Sequence, residues 1–311
     1  MLGFYLPIYI LSFYLVLSGQ HFVGVWVGLE LNLFIFLALA KGGAENLLEV
    51  GLMKYFLAQA FGSLLLLIGF LRFAEALFRQ VILTLRLAVK LGVFPFHAWL
   101  ISFMSSSTEI ELWLVSVPQK LAPLWVFLGL SPWGSFIVVS ILGGVCVSLL
   151  GAFQNRRYRK ILGYSSLFNT TWFLLGLSCL DSLLLILSCY GISLGIVLVV
   201  LRGGRNKLNF EFSRAGHWSA TLGQFLRFAN LGGIPPLINL WGKAAMFSIL
   251  AATSLWGVSL YITGSVFLLY IYLTLRFRRL IFLGSGPALW EEEKAGAIPR
   301  LLGLSILFFF F

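Results

Sequence analysis

The sequence predicts an all-α, polytopic membrane protein of about eleven transmembrane helices, built as two inverted five-helix repeats, each with a broken helix, plus a C-terminal helix. Three observations predict it. Of the 311 residues 60% are hydrophobic and 11% charged, with a mean hydropathy of +0.97, whereas a soluble domain carries about 25% charged residues. Apolar runs of span length follow one another along the chain. Two of these runs, in corresponding positions, are interrupted by glycine and proline. A span takes roughly 20 mostly apolar residues, so a single membrane-embedded domain over 1–311 is expected, with no room for a separate soluble unit.

Runs bounded by charge or by Gly, Pro and Ser place helices at about 2–18, 22–40, 52–71, 81–101 and 110–130, which make the first repeat (1–130). Helices at about 135–153, 161–179, 182–201, 219–251 and 254–274 make the second (135–274), and the run 298–311, short for a span, is the C-terminal helix. The fourth run is interrupted at Lys90-Leu91-Gly92-Val93-Phe94-Pro95-Phe96-His97, and the ninth at Leu231-Gly232-Gly233-Ile234-Pro235-Pro236. Glycine relaxes the backbone and proline removes an N–H donor, so each run is read as one broken helix. Non-helical backbone at membrane depth is tolerated only where it is buried in protein or lines water. Matching breaks in two halves of opposite topology therefore point at an ion path.

Charge placement orients the chain. Fourteen cations share the side of the N-terminus: Lys41; Arg156, Arg157, Arg159 and Lys160; Arg202, Arg205, Lys207 and Arg214; Arg276, Arg278, Arg279, Lys294 and Arg300. The opposite side has Arg72 and Arg79. By the positive-inside rule the N-terminus lies on the cytoplasmic or matrix side. The net charge of +11 thus sets topology, and no nucleic-acid partner is expected, because such binding needs basic residues massed on a hydrated face. The first run starts at Met1 without a charged leader or a small-residue cleavage site, so neither a signal peptide nor a transit peptide is expected.

Six cations fall inside apolar runs: Lys54, Arg86, Lys90, Lys120, Arg227 and Lys243. An ionisable group there costs at least ~2.5–3.5 kcal/mol at the bilayer centre and is a functional candidate by default. Lys90 lies against the first break, Lys120 between Pro118 and Pro123, and Lys243 shortly after the second break. All three are too central to snorkel easily. Lys54 and Arg227 stand nearer their helix starts, and Arg86 is read as reaching the interface. Glu30 is the one carboxylate deep in an apolar run, and pairing it with Lys90 makes a switch. Lysine releases its proton far more readily than arginine, so a row of mid-depth lysines suits proton transfer.

His97, after the first break, is either a helix-end group or a hydrated relay. Cys146, Cys179 and Cys189 lie in apolar runs without ligand spacing and read as packing residues. No metal-ligand spacing, P-loop, nucleophile elbow or dinucleotide fingerprint is present, so neither a metal nor a bound cofactor is expected in this chain.

Six stretches carry a family resemblance: Trp26-Val27-Gly28-Leu29-Glu30-Leu31-Asn32, Lys54-Tyr55-Phe56-Leu57-Ala58-Gln59-Ala60, Lys90 through Trp99, Gln119-Lys120-Leu121-Ala122-Pro123, Arg159-Lys160-Ile161-Leu162-Gly163-Tyr164-Ser165-Ser166, and Leu231 through Leu237 with Lys243. In this order they resemble the antiporter-like membrane subunits of mitochondrial NADH:ubiquinone oxidoreductase (respiratory complex I). The Gln-Lys-Leu-Ala-Pro block and the short length favour the subunit 2 family among them. The resemblance implies a proton path through Glu30, Lys90, Lys120 and Lys243. It implies partners in the other complex I membrane subunits, including sister antiporter-like subunits. NADH, flavin, iron–sulfur clusters and ubiquinone are then expected in partner subunits, and the setting is the mitochondrial inner membrane with the N-terminus in the matrix. Two departures stand out. Leu100-Ile101-Ser102-Phe103 replaces the usual Pro and acidic residue, and Asn169 stands where many relatives have histidine. Asn169 orders water but cannot carry a proton. The competing readings are a stand-alone cation/proton antiporter subunit and a structural membrane spacer.

Overall fold

The computed structural model describes residues 2–19, 21–40, 46–70, 76–129, 134–155, 158–178, 180–205, 230–233, 238–253 and 264–265. Among these residues every regular element is helical. The chain runs α1 (Leu2–Ser18), α2 (Phe22–Ala40), α3 (Asn46–Phe70), α4 (Ala76–Leu91), α5 (Ala98–Ser106), α6 (Glu109–Ser116), α7 (Pro118–Gly129), α8 (Gly134–Gln154), α9 (Tyr158–Leu175), a 3-10 turn at Gly176–Ser178, α10 (Leu180–Arg205) and α11 (Ile238–Thr253). Phe22–Ala40, Glu109–Gly129, Gly134–Gln154 and Leu180–Val199 are each long and apolar enough to cross a membrane. The runs expected at 254–274 and 298–311, and Arg227, lie outside the described residues apart from Gly264 and Ser265.

The first eight expected runs have helical counterparts with shifted ends, and the ninth, expected at 219–251, is described only at 230–233 and 238–253. α3 starts at Asn46 and α4 at Ala76, so polar residues near the start of each run sit in first turns instead of in loops. α5 continues through Leu100-Ile101-Ser102-Phe103, with Leu100, Ile101 and Phe103 buried, so this departure leaves the helix intact. The fifth run is divided. Val117 leaves helical geometry (φ −120°, ψ −75°) and Pro118, which has no N–H to continue the ladder, opens α7.

Both broken helices end on a left-handed glycine, Gly92 (φ 66°) and Gly233 (φ 84°). In α4 the Val93 N–H donates to Ala88 O (3.0 Å) and the Gly92 N–H to Val89 O (3.1 Å), the paired bonds of a Schellman ending. Trp99 Nε1 also donates to Val89 O, and Gln59 Nε2 donates to Lys90 O at 3.1 Å. The carbonyls freed by the break therefore find partners inside the protein, as a dry interior requires. At the second break the Gly233 N–H donates to Asn230 O and Asn239 Nδ2 to Leu231 O.

α3 packs on α4 and α5, and α7 on α1, α2, α4 and α6. The second half joins the first where α9 meets α5 and α10 meets α6. Aromatic rings fill the packing, with Phe36, Tyr55 and Phe103 between α2, α3 and α5, and Phe168, Trp172, Phe173 and Tyr190 on α9 and α10. Ile10, Tyr14, Leu57, Phe61, Val139, Leu150 and Val199 point outward, the arrangement expected when the solvent is lipid. Arg159 at the start of α9 pairs with Glu109 at the start of α6 (3.4 Å), so these two helices begin at the same end of the bundle.

Candidate functional site: a buried row of lysines

Among the described residues the apolar interior holds three lysines, each nearly inaccessible: Lys90 (5% exposed), Lys120 (2%) and Lys243 (3%). Burial on this scale is tolerated only with partners, and each lysine has a different set.

Lys90 occupies the last turn of α4, where the carbonyl end of the helix favours a positive charge. Its ammonium lies 3.7 Å from Glu30 Oε1, which projects from the middle of α2. The distance makes an ion pair without a direct hydrogen bond. Two residues on from Glu30, Asn32 Oδ1 accepts from Gln119 Nε2 at 2.7 Å, and the same nitrogen donates to Tyr9 Oη at 3.3 Å. Gln119 thus ties α1, α2 and α7 together beside Lys120.

Lys120 sits in the first turn of α7. Its Nζ donates to Ser166 Oγ (2.7 Å) and Ser166 O (3.1 Å) on α9, and lies 5.9 Å from the centre of the Phe173 ring. Between Lys90 and Lys120 lies a small cavity lined by both lysines with Gln59, Gln119, Tyr55 and Trp99, roomy enough for about one water molecule.

Lys243 on α11 turns back to the second break. Its Nζ donates to Gly232 O (2.8 Å) and Ser265 Oγ (3.4 Å), and stands over the rings of Phe168 (5.9 Å) and Trp172 (5.7 Å) of α9. The ring faces attract the cation in a dry setting. A carbonyl released by the broken helix is therefore a direct partner of this lysine, whereas at the first break Gln59 and Trp99 occupy the released carbonyls and Lys90 is left to Glu30.

α9 stands between Lys120 and Lys243. At about 3.6 residues per turn, Ser166 and Phe173 share one face and Phe168 and Trp172 the opposite one. Asn169 is one turn beyond Ser166 and 2% exposed; its Nδ2 donates to Ser165 O while its Oδ1 has no hydrogen-bond partner.

Residues 70–268 match the family described as NADH:quinone oxidoreductase/Mrp antiporter, transmembrane. NADH-ubiquinone oxidoreductase chain 2 of Mytilus edulis is 32% identical over 234 residues, covering 74% of this chain and 72% of that protein. The chain belongs to the NADH-ubiquinone oxidoreductase chain 2 family. Other chain 2 relatives include those of Branchiostoma lanceolatum (28% over 324 residues, 96% of this chain and 92% of the relative) and Locusta migratoria (24% over 282 residues, 87% and 82%). The fold is similar to that of a chain in respiratory complex I from Thermus thermophilus, with TM-score 0.72 at 22% identity, over 86% of this chain and 68% of that one. It is also similar to a chain of the archaeal membrane-bound sulfane sulfur reductase, with TM-score 0.64 at 21% identity, over 82% and 61%.

The remaining candidates of this chain 2 member lie in different settings. Lys54 is exposed on the outer face of α3, its Nζ donating to Ser102 Oγ at 3.2 Å, and is not part of the interior row. His97 is half-buried at the head of α5, stacked on Phe94, with Nδ1 3.1 Å from Pro95 O. Arg86 corrects the sequence reading: it does not reach the interface but is 1% exposed. The signal available was its spacing, because residues four apart share a helix face and Lys90 faces inward. Gln59, Gln119 and Ser166 were not singled out individually, since their contacts join residues 31, 87 and 46 positions apart.

Proposed function

We infer that the chain is a proton-translocating membrane subunit of NADH:ubiquinone oxidoreductase in which Glu30, Lys90, Lys120 and Lys243 form the proton path. The observation that carries this reading is the continuity of the row: the Glu30–Lys90 pair, the cavity shared by Lys90 and Lys120, the Lys120–Ser166 bonds, and Lys243 on the far face of α9. Each lysine holds or releases a proton beside a partner of its own, and a change of charge at one position is felt at the next because the interior screens it poorly. The spacer reading explains the burial of charge but not its arrangement in one row across both halves.

The chain supplies a path and a set of charges, and the redox chemistry belongs to partner subunits that carry NADH, flavin, iron–sulfur and ubiquinone sites. Its neighbours are other complex I membrane subunits, including sister antiporter-like subunits, and the exposed apolar faces meet those subunits or lipid. The left-handed glycines at both breaks support two inverted five-helix halves in an eleven-helix whole. The cation count and the same-end start of α6 and α9 support an N-terminus on the matrix side of the mitochondrial inner membrane.

Two measurements test this. The chain is expected to copurify with an NADH-oxidising assembly, which a stand-alone antiporter subunit does not. Lys243→Met is expected to leave that assembly at normal abundance while lowering the protons moved per NADH oxidised. Unchanged pumping removes Lys243 from the path.

A further inference from the structure

Arg86 and Lys90 lie one turn apart on α4 and share its inward face. Arg86 Nε and Nη2 have no hydrogen-bond partner, although the residue is 1% exposed. Glu30 Oε1 is in the same position: buried, unbonded, and 3.7 Å from Lys90 Nζ. Glu30, paired with Lys90, therefore lies on the side of α4 that Arg86 also presents. An edge of a guanidinium is a planar two-donor fork that fits a carboxylate. Two buried guanidinium nitrogens and a buried carboxylate oxygen without hydrogen bonds are costly, and a pairing of Glu30 with Arg86 removes that cost on both sides.

We propose that Arg86 is a positioning residue that acts as the second partner of Glu30. The carboxylate stays at Lys90 while that lysine is an ammonium, and turns to the Arg86 fork when the proton leaves. The inference rests on the proton-path reading and deepens it. In the step, one N–H bond of Lys90 breaks, the electron pair remains on the now neutral amine, and the proton passes into the cavity shared with Lys120. Arg86 keeps its charge throughout, so Glu30 stays ionised instead of capturing the departing proton. The cluster goes from one excess positive charge to none. The other ionisable groups on the helices packed against α4 do not substitute for Arg86. Tyr55 on α3 offers no cation, Lys54 on α3 is exposed, and Lys120 on α7 is engaged by Ser166.

The test is a double-mutant cycle in the assembled complex with Arg86→Gln, Arg86→Lys, Glu30→Gln and the Arg86→Gln/Glu30→Gln pair, reading complex abundance and protons moved per NADH. Arg86→Gln is expected to lower pumping several-fold, Arg86→Lys, which has no two-donor fork and can lose its proton, to recover it only in part, and Arg86→Gln to add nothing once Glu30 is neutral. Should Arg86→Gln reduce abundance, neutralising Glu30 as well is expected to restore it, and failure to do so overturns the proposal. Normal pumping in Arg86→Gln beside defective Glu30→Gln also overturns it and leaves the path reading standing. Normal pumping in Glu30→Gln overturns both.

Discussion

Lys120 Nζ stands 2.7 Å from Ser166 Oγ, and Ser166 lies on the opposite face of α9 from the two rings that hold Lys243. One helix therefore contacts the connecting lysine and the far lysine at once. Movement of α9 is felt by both, and a charge change at either lysine is transmitted to its frame.

Ser166→Ala removes the shorter of the two bonds to Lys120 and leaves the carbonyl at 3.1 Å. Losing a hydroxyl acceptor to a buried charge costs about 1–3 kcal/mol. The expected result is reduced proton-coupled turnover with a modest loss of thermal stability, measured on the purified complex; Ser166→Thr, which keeps the hydroxyl, is expected to retain turnover.

Val115 lines the cavity between Lys90 and Lys120 without contributing a polar group. Val115→Phe fills the space with a ring and is expected to slow proton transfer while complex abundance is unchanged. Pumping and turnover measured together check this, and full pumping with a filled cavity means that protons take another route.

Gly233 holds the second break with φ 84°, and a Cβ there lies 3.0 Å from Lys243 Cδ and 3.2 Å from its Nζ. Gly233→Ala pays left-handed strain of about 1–2 kcal/mol and presses on the ammonium. Lower complex abundance and lower pumping per assembled complex are expected, with the larger effect on pumping. Blue-native gels and proton-uptake assays separate the two.

Asn169 is buried one turn beyond Ser166 on α9, and its Oδ1 has no hydrogen-bond partner. Asn169→Leu keeps the branched side-chain shape and removes the water-ordering groups, so it is expected to lower pumping, whereas Asn169→His is expected to sustain it. Equal pumping in all three forms makes Asn169 a packing residue.

The intramembrane charges were legible in the sequence because lipid makes each one costly, so Glu30, Lys90, Lys120 and Lys243 stand out from apolar surroundings. The breaks were legible too, since Gly92 and Gly233 carry the backbone conformation that glycine permits. What did not show was which way a helix faces. Lys54 and Lys90 look alike in sequence, yet one is exposed and the other buried, because that depends on how α3 is rotated against α5. Arg86 was misread for the same reason. The partners Gln59, Gln119 and Ser166 come from distant parts of the chain, and only packing brings them to the lysines. The division at Val117 was hidden because Pro118 is tolerated at a helix start as well as at a break.

Lys120 links the two halves of the row, between the cavity it shares with Lys90 and Ser166 on α9. Its most direct test is NADH-driven proton translocation by reconstituted complex carrying Lys120→Met, compared with wild type at equal complex abundance. A marked fall in protons moved per NADH is predicted; wild-type stoichiometry in the fully assembled variant contradicts the path.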